Sequence, residues 1–380
     1  MTFHVAAPTM ANRASFYGQN TFVLGLFGAN CSSGRAVTLV EERWTGDWQD
    51  GLRLARMADD IGIDFMLPIG RWKGYGGTTD YQGATYETIN WASGLLASTK
   101  RITVFGTVHA PLFNPILAAK MMVTADHIGC GRFGLNIVCG WNDGEFEMFG
   151  VEQRDHDNRY KYAHEWIDVI KRAWSPDEDF DFNGEYLQLK GIRSKPKPFG
   201  GTRPVIMNAG ASADGKAFAI RNCDAWFTQA KRDSVESNQA NVRAIKEEAK
   251  ALGRDLDIYT VGVVTCRPTM KEAQDYFRYA GDERADWSAV DSIMGMKGLT
   301  PESMGKEAYE LRRRQYALGM GGVPIVGDPD HVANELAKLA EAGLRGIAIS
   351  MVNYAEELPF FAQEVLPRLA ARGLRTPPNI

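Results

Sequence analysis

Eight short apolar runs, rich in Val, Ile and Phe and separated by longer stretches with helical spacing, constrain this chain more than any other feature. They are FVLGLF (22–27), IDFMLP (63–68), RITVFGTV (101–108), RFGLNIV (132–138), RPVIMN (203–208), DAWFTQ (224–229), IYTVGVVTC (258–266) and GIAISMV (346–352). Such alternation marks repeated βα units around a parallel sheet. Eight units allow the sheet to close and lose both edges, so the expected fold is α/β, a (β/α)8 TIM barrel rather than an open sheet. Several intervening helical patterns, among them NPILAAKMMVTADHIG and PDHVANELAKLAEAG, end in the Gly of a helix C-cap. Two stretches exceed ordinary loops: 139–157 with 175–202 after the fourth strand, and 281–325 before the last of these helices. Long insertions in a barrel serve as lids or oligomer contacts. The chain reads as one domain over 1–380, with a loosely held arm at 1–20 and 281–325 as an insertion or lid.

Composition narrows the function classes. At 380 residues and 44% apolar the chain can bury a large core without disulfides or metals. A net charge of −4 does not supply the positive surface that nucleic acid requires. The five cysteines are scattered and without CxxC spacing, which fits a reducing compartment. No secretory leader or membrane-length apolar window is read, so the expected location is the cytoplasm.

In such a barrel the chemistry lies at the carboxyl ends of the strands. Strand two is followed by Gly70-Arg71-Trp72-Lys73-Gly74-Tyr75-Gly76-Gly77. Strand three contributes Thr107 and His109, and strand four Asn136, Cys139, Gly140 and Trp141. Strand five ends in Asn208-Ala209-Gly210-Ala211-Ser212, strand eight in Asn353-Tyr354. This polar, aromatic, glycine-rich set suits a flat heteroaromatic ligand with a phosphate tail. HExxH, GxSxG, Walker and GxGxxG patterns are missing, which removes support from zinc proteolysis, serine hydrolysis, nucleotide hydrolysis and a Rossmann site.

Residue by residue, two readings stay open. Ser212 opens a helix and either caps it or helps cradle a phosphate. Arg159 and Tyr160 are a solvated arginine and a packing tyrosine, or ligand contacts. Asn136 is an amide inside an apolar strand and needs a partner, structural or ligand. Thr107 is a β-former or a hydroxyl donor, and His109 and His127 are structural residues or general bases. Arg71 and Lys73 bind an anion or face water, and Cys139 reads as an inert thiol.

Taken together, DHIGCGRFGLNIVCGW (126–141), EFEMFG (145–150), HDNRYKYAHEWIDVIKRAW (156–174), FNGEYLQLKG (182–191), NAGASADG (208–215) and GIAISMVNYAEELPFF (346–361) resemble the luciferase-like FMN-dependent monooxygenases. Within that group the RWKGYGG segment and the strand-four asparagine are most similar to the pyrimidine oxygenases and dimethyl sulfone monooxygenases. The resemblance implies reduced FMN from a separate NAD(P)H:FMN reductase, O2 as co-substrate, no metal, and a homodimer or homotetramer. It implies FMN contacts from Gly70, Arg71, Asn136, Glu145, Arg159, Tyr160 and Ser212, with Thr107 and Asn136 holding oxygen beside the ring. The implied substrate is a small organic molecule, a pyrimidine-like N-heterocycle that is ring-opened. The alternatives are a sulfone or sulfonate, or a deazaflavin-dependent dehydrogenation on the same barrel.

Overall fold

The computed structural model describes residues 13, 15–152, 156–175, 178–230 and 234–377. Its strands are β1 (Val23–Phe27), β2 (Phe65–Leu67), β3 (Thr103–His109), β4 (Phe133–Val138), β5 (Phe180–Asn183), β6 (Gln188–Ile192), β7 (Val205–Asn208), β8 (Ala225–Phe227), β9 (Asp257–Cys266), β10 (Val323–Gly327) and β11 (Gly346–Ser350). Strands β1, β2, β3, β4, β7, β8, β9 and β11 pair in parallel in that order, and β11 returns to β1. The ring is therefore the closed eight-stranded barrel expected, and each of the eight apolar runs supplies one of its strands.

Period-two alternation explains how short strands serve two cores. Val23, Phe65, Phe105, Met207, Tyr259 and Ala348 point into the barrel. Their neighbours Leu24, Met66, Val104, Ile206, Ile258 and Ile347 face the surrounding helices. Inside, large rings are matched by glycine: a Cβ at Gly25 would lie 2.2 Å from the Phe65 ring, and one at Gly134 2.4 Å from Phe105.

Three elements differ from expectation. β10 is a ninth strand: it pairs with residues 262–266 of β9, whereas β8 pairs with residues 257–259, so β10 continues the edge that β8 leaves. The 175–202 stretch contains the antiparallel β5–β6 hairpin. A further helix, Tyr354–Ala371, follows β11 and buries Leu358, Phe361, Val365 and Leu369 along one stripe.

The arm also needs correction. Residues 1–12 and 14 lie outside the described residues, but Phe16 is fully buried inside the barrel floor. Its ring centroid is 5.7 Å from that of Phe65, 5.4 Å from Phe105 and 5.5 Å from Tyr259. Arg13 meets the buried carboxylate of Asp126 at 2.7 Å. One aromatic plug and one buried ion pair thus hold residues 13 and 15–20 in place, because a barrel whose lower layer lacks a ring would leave a cavity.

Candidate active site

The carboxyl end is built around one register position. Thr107 of β3 stands opposite Asn136 of β4, and both point inward because Phe105, two residues earlier, does. The Thr107 hydroxyl donates to the Pro68 carbonyl at 2.6 Å, which uses its only proton. It can therefore only accept from Asn136, whose Nδ2 lies 3.1 Å away. That fixes the amide orientation and leaves Asn136 Oδ1 buried without a hydrogen-bond partner in the structure. An orphaned buried acceptor costs about 1–3 kcal/mol unless a ligand relieves it.

The loop after β2 forms one wall. Gly70 passes so close to β3 that a Cβ there would lie 2.8 Å from the His109 ring and 3.0 Å from the Thr107 methyl. Arg71 then donates to Glu145 at 3.0 Å and to the Tyr75 hydroxyl at 2.6 Å. Glu145, on the helix Asp143–Met148, also accepts the backbone N–H of Trp72 at 2.7 Å. The carboxylate is 1% exposed and is spent on holding this loop. His109 Nε2 is 3.9 Å from it, yet burial pushes the imidazole pKa down to about 4, so the ring is neutral. Arg71 also lies 4.5 Å from the Tyr75 ring centroid and 5.5 Å from that of Trp141, and these two rings stack at 6.2 Å. Lys297, from the 281–325 insertion, covers Trp141 at 5.4 Å.

Opposite lies a cavity of about 280 Å³, lined by Cys139, Gly140, Arg159, Tyr160, Asn208 and Ser212 among others. Ser212 caps the helix Ala213–Asn222, its hydroxyl accepting from Gly215 N at 3.1 Å. Asn208 shapes the turn by accepting from Gly210 N at 2.8 Å and donating to the Ile137 carbonyl at 2.8 Å. The Tyr160 hydroxyl sits where a side chain at Gly210 or Gly215 would collide with it, 2.6 Å from either Cβ. Arg159 donates to the Gly140 carbonyl at 2.7 Å.

The structure therefore brings Gly70, Arg71, Thr107, Asn136 and Glu145 together at the mouth and Arg159, Tyr160 and Ser212 at the adjoining cavity. Cys139 is a buried thiol whose pKa is pushed up to about 12 by desolvation. His127 lies elsewhere, bonded to the Lys197 carbonyl. Lys73 is exposed. Sequence reasoning missed Arg35, which follows β1 and packs on Phe27; the segment after the first strand carries no motif, and only its place after a strand was a signal. Among the described residues no group of three or more metal-ligating side chains gathers, and no helix is long and apolar enough to cross a membrane.

Comparison with known proteins places this geometry in a class. The family model of the luciferase-like monooxygenases matches residues 25–346, and the chain belongs to that family. It is 31% identical over 345 residues to an FMNH2-dependent dimethylsulfone monooxygenase of Pseudomonas fluorescens, covering 89% of this chain and 92% of the relative. It is 28% identical to the pyrimidine monooxygenase RutA of Acinetobacter baylyi, covering 84% and 87%. Among solved structures, a riboflavin lyase (RcaE) crystallised with modified FMN and riboflavin superposes with a TM-score of 0.83 at 22% identity, over 94% of this chain and 93% of that one.

Proposed function

We propose that this chain is the oxygenase of a two-component flavin system, taking reduced FMN from a separate NAD(P)H:FMN reductase and using O2 to oxidise a small organic substrate. The observation that carries the reading is the Thr107–Asn136 pair, whose orphaned Oδ1 faces no protein donor at the mouth of the barrel. Bound reduced FMN supplies electrons to O2 without a metal. The residues supply the rest. Ser212 with the start of its helix, Arg159 and Tyr160 take the phosphate, where unpaired amides and a guanidinium favour an anion. Gly70, whose bare backbone lies against Thr107 and His109, would border the ring, and Asn136 would offer it the unpartnered Oδ1 as an acceptor. Thr107 fixes that amide and so acts as a positioning residue. Glu145 works through the loop, holding Arg71 and Trp72 rather than touching the cofactor.

Water exclusion falls to the Tyr75–Trp141 stack and to the 281–325 insertion above it, whose helices pack on Tyr75 and Tyr81 as a lid. The fold leaves the apolar Leu117 and Ile128 exposed on the helix Pro115–Ile128, which supports a homodimer or homotetramer. All five cysteines are free thiols, which supports a reducing cytoplasmic setting. The test is oxygen uptake with chemically reduced FMN. Uptake coupled to a new product supports the monooxygenase; uptake without product in every substrate class tested removes it.

A further inference from the structure

We infer that Arg35 anchors a small organic oxyanion, a sulfonate or a carboxylate, at the barrel mouth, so that the substrate of this site is an anion. The inference rests on the proposed function only in taking the mouth as the substrate's place. Arg35 lies in the loop after β1, with its guanidinium carbon 4.4 Å from the centroid of Phe27, the last residue of that strand. It is 8% exposed. Among the described residues the one hydrogen bond of its side chain goes to the Gly319 carbonyl, within the 281–325 stretch, and its backbone carbonyl accepts from Gly319 N at 2.9 Å. The rest of its five N–H donors find no protein acceptor.

The surrounding charge is what makes this unusual. The groups acting most strongly on Arg35 are Tyr81, Tyr354, Cys31 and Tyr75, not a carboxylate. Burial keeps all four neutral: it pushes Cys31 and Tyr75 up to about 12 and raises Tyr81 and Tyr354 well above the usual phenol range. Other buried arginines are balanced. Arg13 has Asp126, Arg375 has Asp64 and Arg71 has Glu145. Arg132, which has no ion pair either, spends four of its five N–H donors on Thr99, Ile102 and Leu96. Arg35 alone of these is a largely buried cation with no carboxylate and one protein acceptor, and its other nitrogens are not sealed from solvent as the Nε atoms of Arg13 and Arg71 are; a bound anion would complete it.

Its position joins it to the flavin-side pair. A Cβ at Gly28 would touch Ile69 at 3.0 Å and Arg35 at 3.1 Å, and Ile69 leads directly into Gly70 above Thr107. Arg71 cannot serve in its place, because its charge is already met by Glu145 at 3.0 Å. The ring of Phe27 beneath the guanidinium suits the apolar carbon next to an acid group.

Calorimetric titration of the whole protein, with and without saturating FMN, tests this with 1-butanesulfonate, pentanoate and the neutral butyl methyl sulfone. At least one anion is expected to bind the parent tenfold or more tighter than the sulfone. Arg35→Met should weaken that anion tenfold or more while leaving the sulfone and FMN unchanged, and Arg35→Lys should keep most of the preference. Should Arg35→Met not fold, Arg35→Gln, which keeps a donor toward Gly319, carries the same comparison. Equal binding of the sulfone and both anions, or anion affinity indifferent to loss of the Arg35 charge, would overturn the inference. A parent that binds no FMN yet discriminates anions through Arg35 would remove the flavin reading and leave this one standing.

Discussion

The two ends of the barrel are built from the same strands and differ in what they leave unsatisfied. At the amino end Phe16 fills the innermost layer, and Arg13–Asp126 and Asp64–Arg375 close buried charge with charge. At the carboxyl end the innermost layer is Thr107 and Asn136, an amide oxygen and the Trp72 indole nitrogen are buried without partners, and a guanidinium has one carbonyl for company. The first pattern is that of a foundation and the second that of a receptor. Orphaned atoms alone do not separate the two ends, because the Tyr259 hydroxyl and Arg13 Nε at the floor are unpartnered too; what sets the mouth apart is that its orphans adjoin a cavity and that its Arg35 has no carboxylate beside it.

The comparison breaks most visibly at the floor. Phe16→Ala should cost about 3–5 kcal/mol by opening a cavity, and Arg13→Leu a similar amount by stranding Asp126 in the interior. Both should lower the denaturation midpoint while FMN affinity per folded molecule stays unchanged; an equal loss of FMN affinity would show that floor and mouth are not separable. Next in size is a pH effect at the mouth. His109 is held neutral, with its pKa at about 4 through burial, against about 6.5 in the unfolded chain. Its contribution to stability is therefore fully present above about pH 6.5 and is lost as the pH falls toward 4, amounting to about 3 kcal/mol over that window. His109→Gln should flatten this part of the stability profile, and an unchanged slope would remove His109 as its source.

Smaller effects sharpen the mouth itself. Thr107→Val leaves the Pro68 carbonyl without its hydroxyl donor and Asn136 without its acceptor, and should cost about 1–3 kcal/mol. Turnover should fall as well, and Thr107→Ser should restore both, because the hydroxyl and not the methyl orients the amide. Rescue of stability without rescue of turnover would mean that Thr107 touches the reacting atoms directly. The smallest expected change is Ser212→Ala, about 1 kcal/mol from a lost N-cap, accompanied by weaker FMN binding in a fluorescence titration. A full cap effect with unaltered FMN affinity would return Ser212 to a purely structural role.

Much of this was legible in the chain. Strand runs show in sequence because barrel strands are buried on both faces, and the residues just after them fall at the mouth by topology alone. Asn136 stood out because an amide between Leu135 and Ile137 has few bland explanations. Other parts were illegible for physical reasons. β10 carries Pro324 and straddles the end of the 281–325 stretch, so VPIVG lacks the signature of a central strand; it pairs only with the upper end of β9. Phe16 is a single aromatic in a polar segment, and no periodicity announces a plug. Glu145 resembles any helix-opening carboxylate, and that it would brace Arg71 and Trp72, more than seventy residues earlier, depends on how β2 and β4 stand in the ring. Arg35 gave no pattern at all, since what distinguishes it is the lack of a partner, which only the packed structure reveals.

The Thr107–Asn136 pair as the seat of flavin-dependent oxygenation is tested most directly by Asn136→Ala, measured for FMN affinity, melting temperature and product formed per oxygen consumed. The expected result is a melting temperature at or above that of the parent, since an orphaned acceptor is removed, with product per oxygen down by a hundredfold or more and oxygen uptake becoming unproductive. A variant that still couples oxygen to product as the parent does, or one that loses stability and keeps turnover per folded molecule, would contradict it.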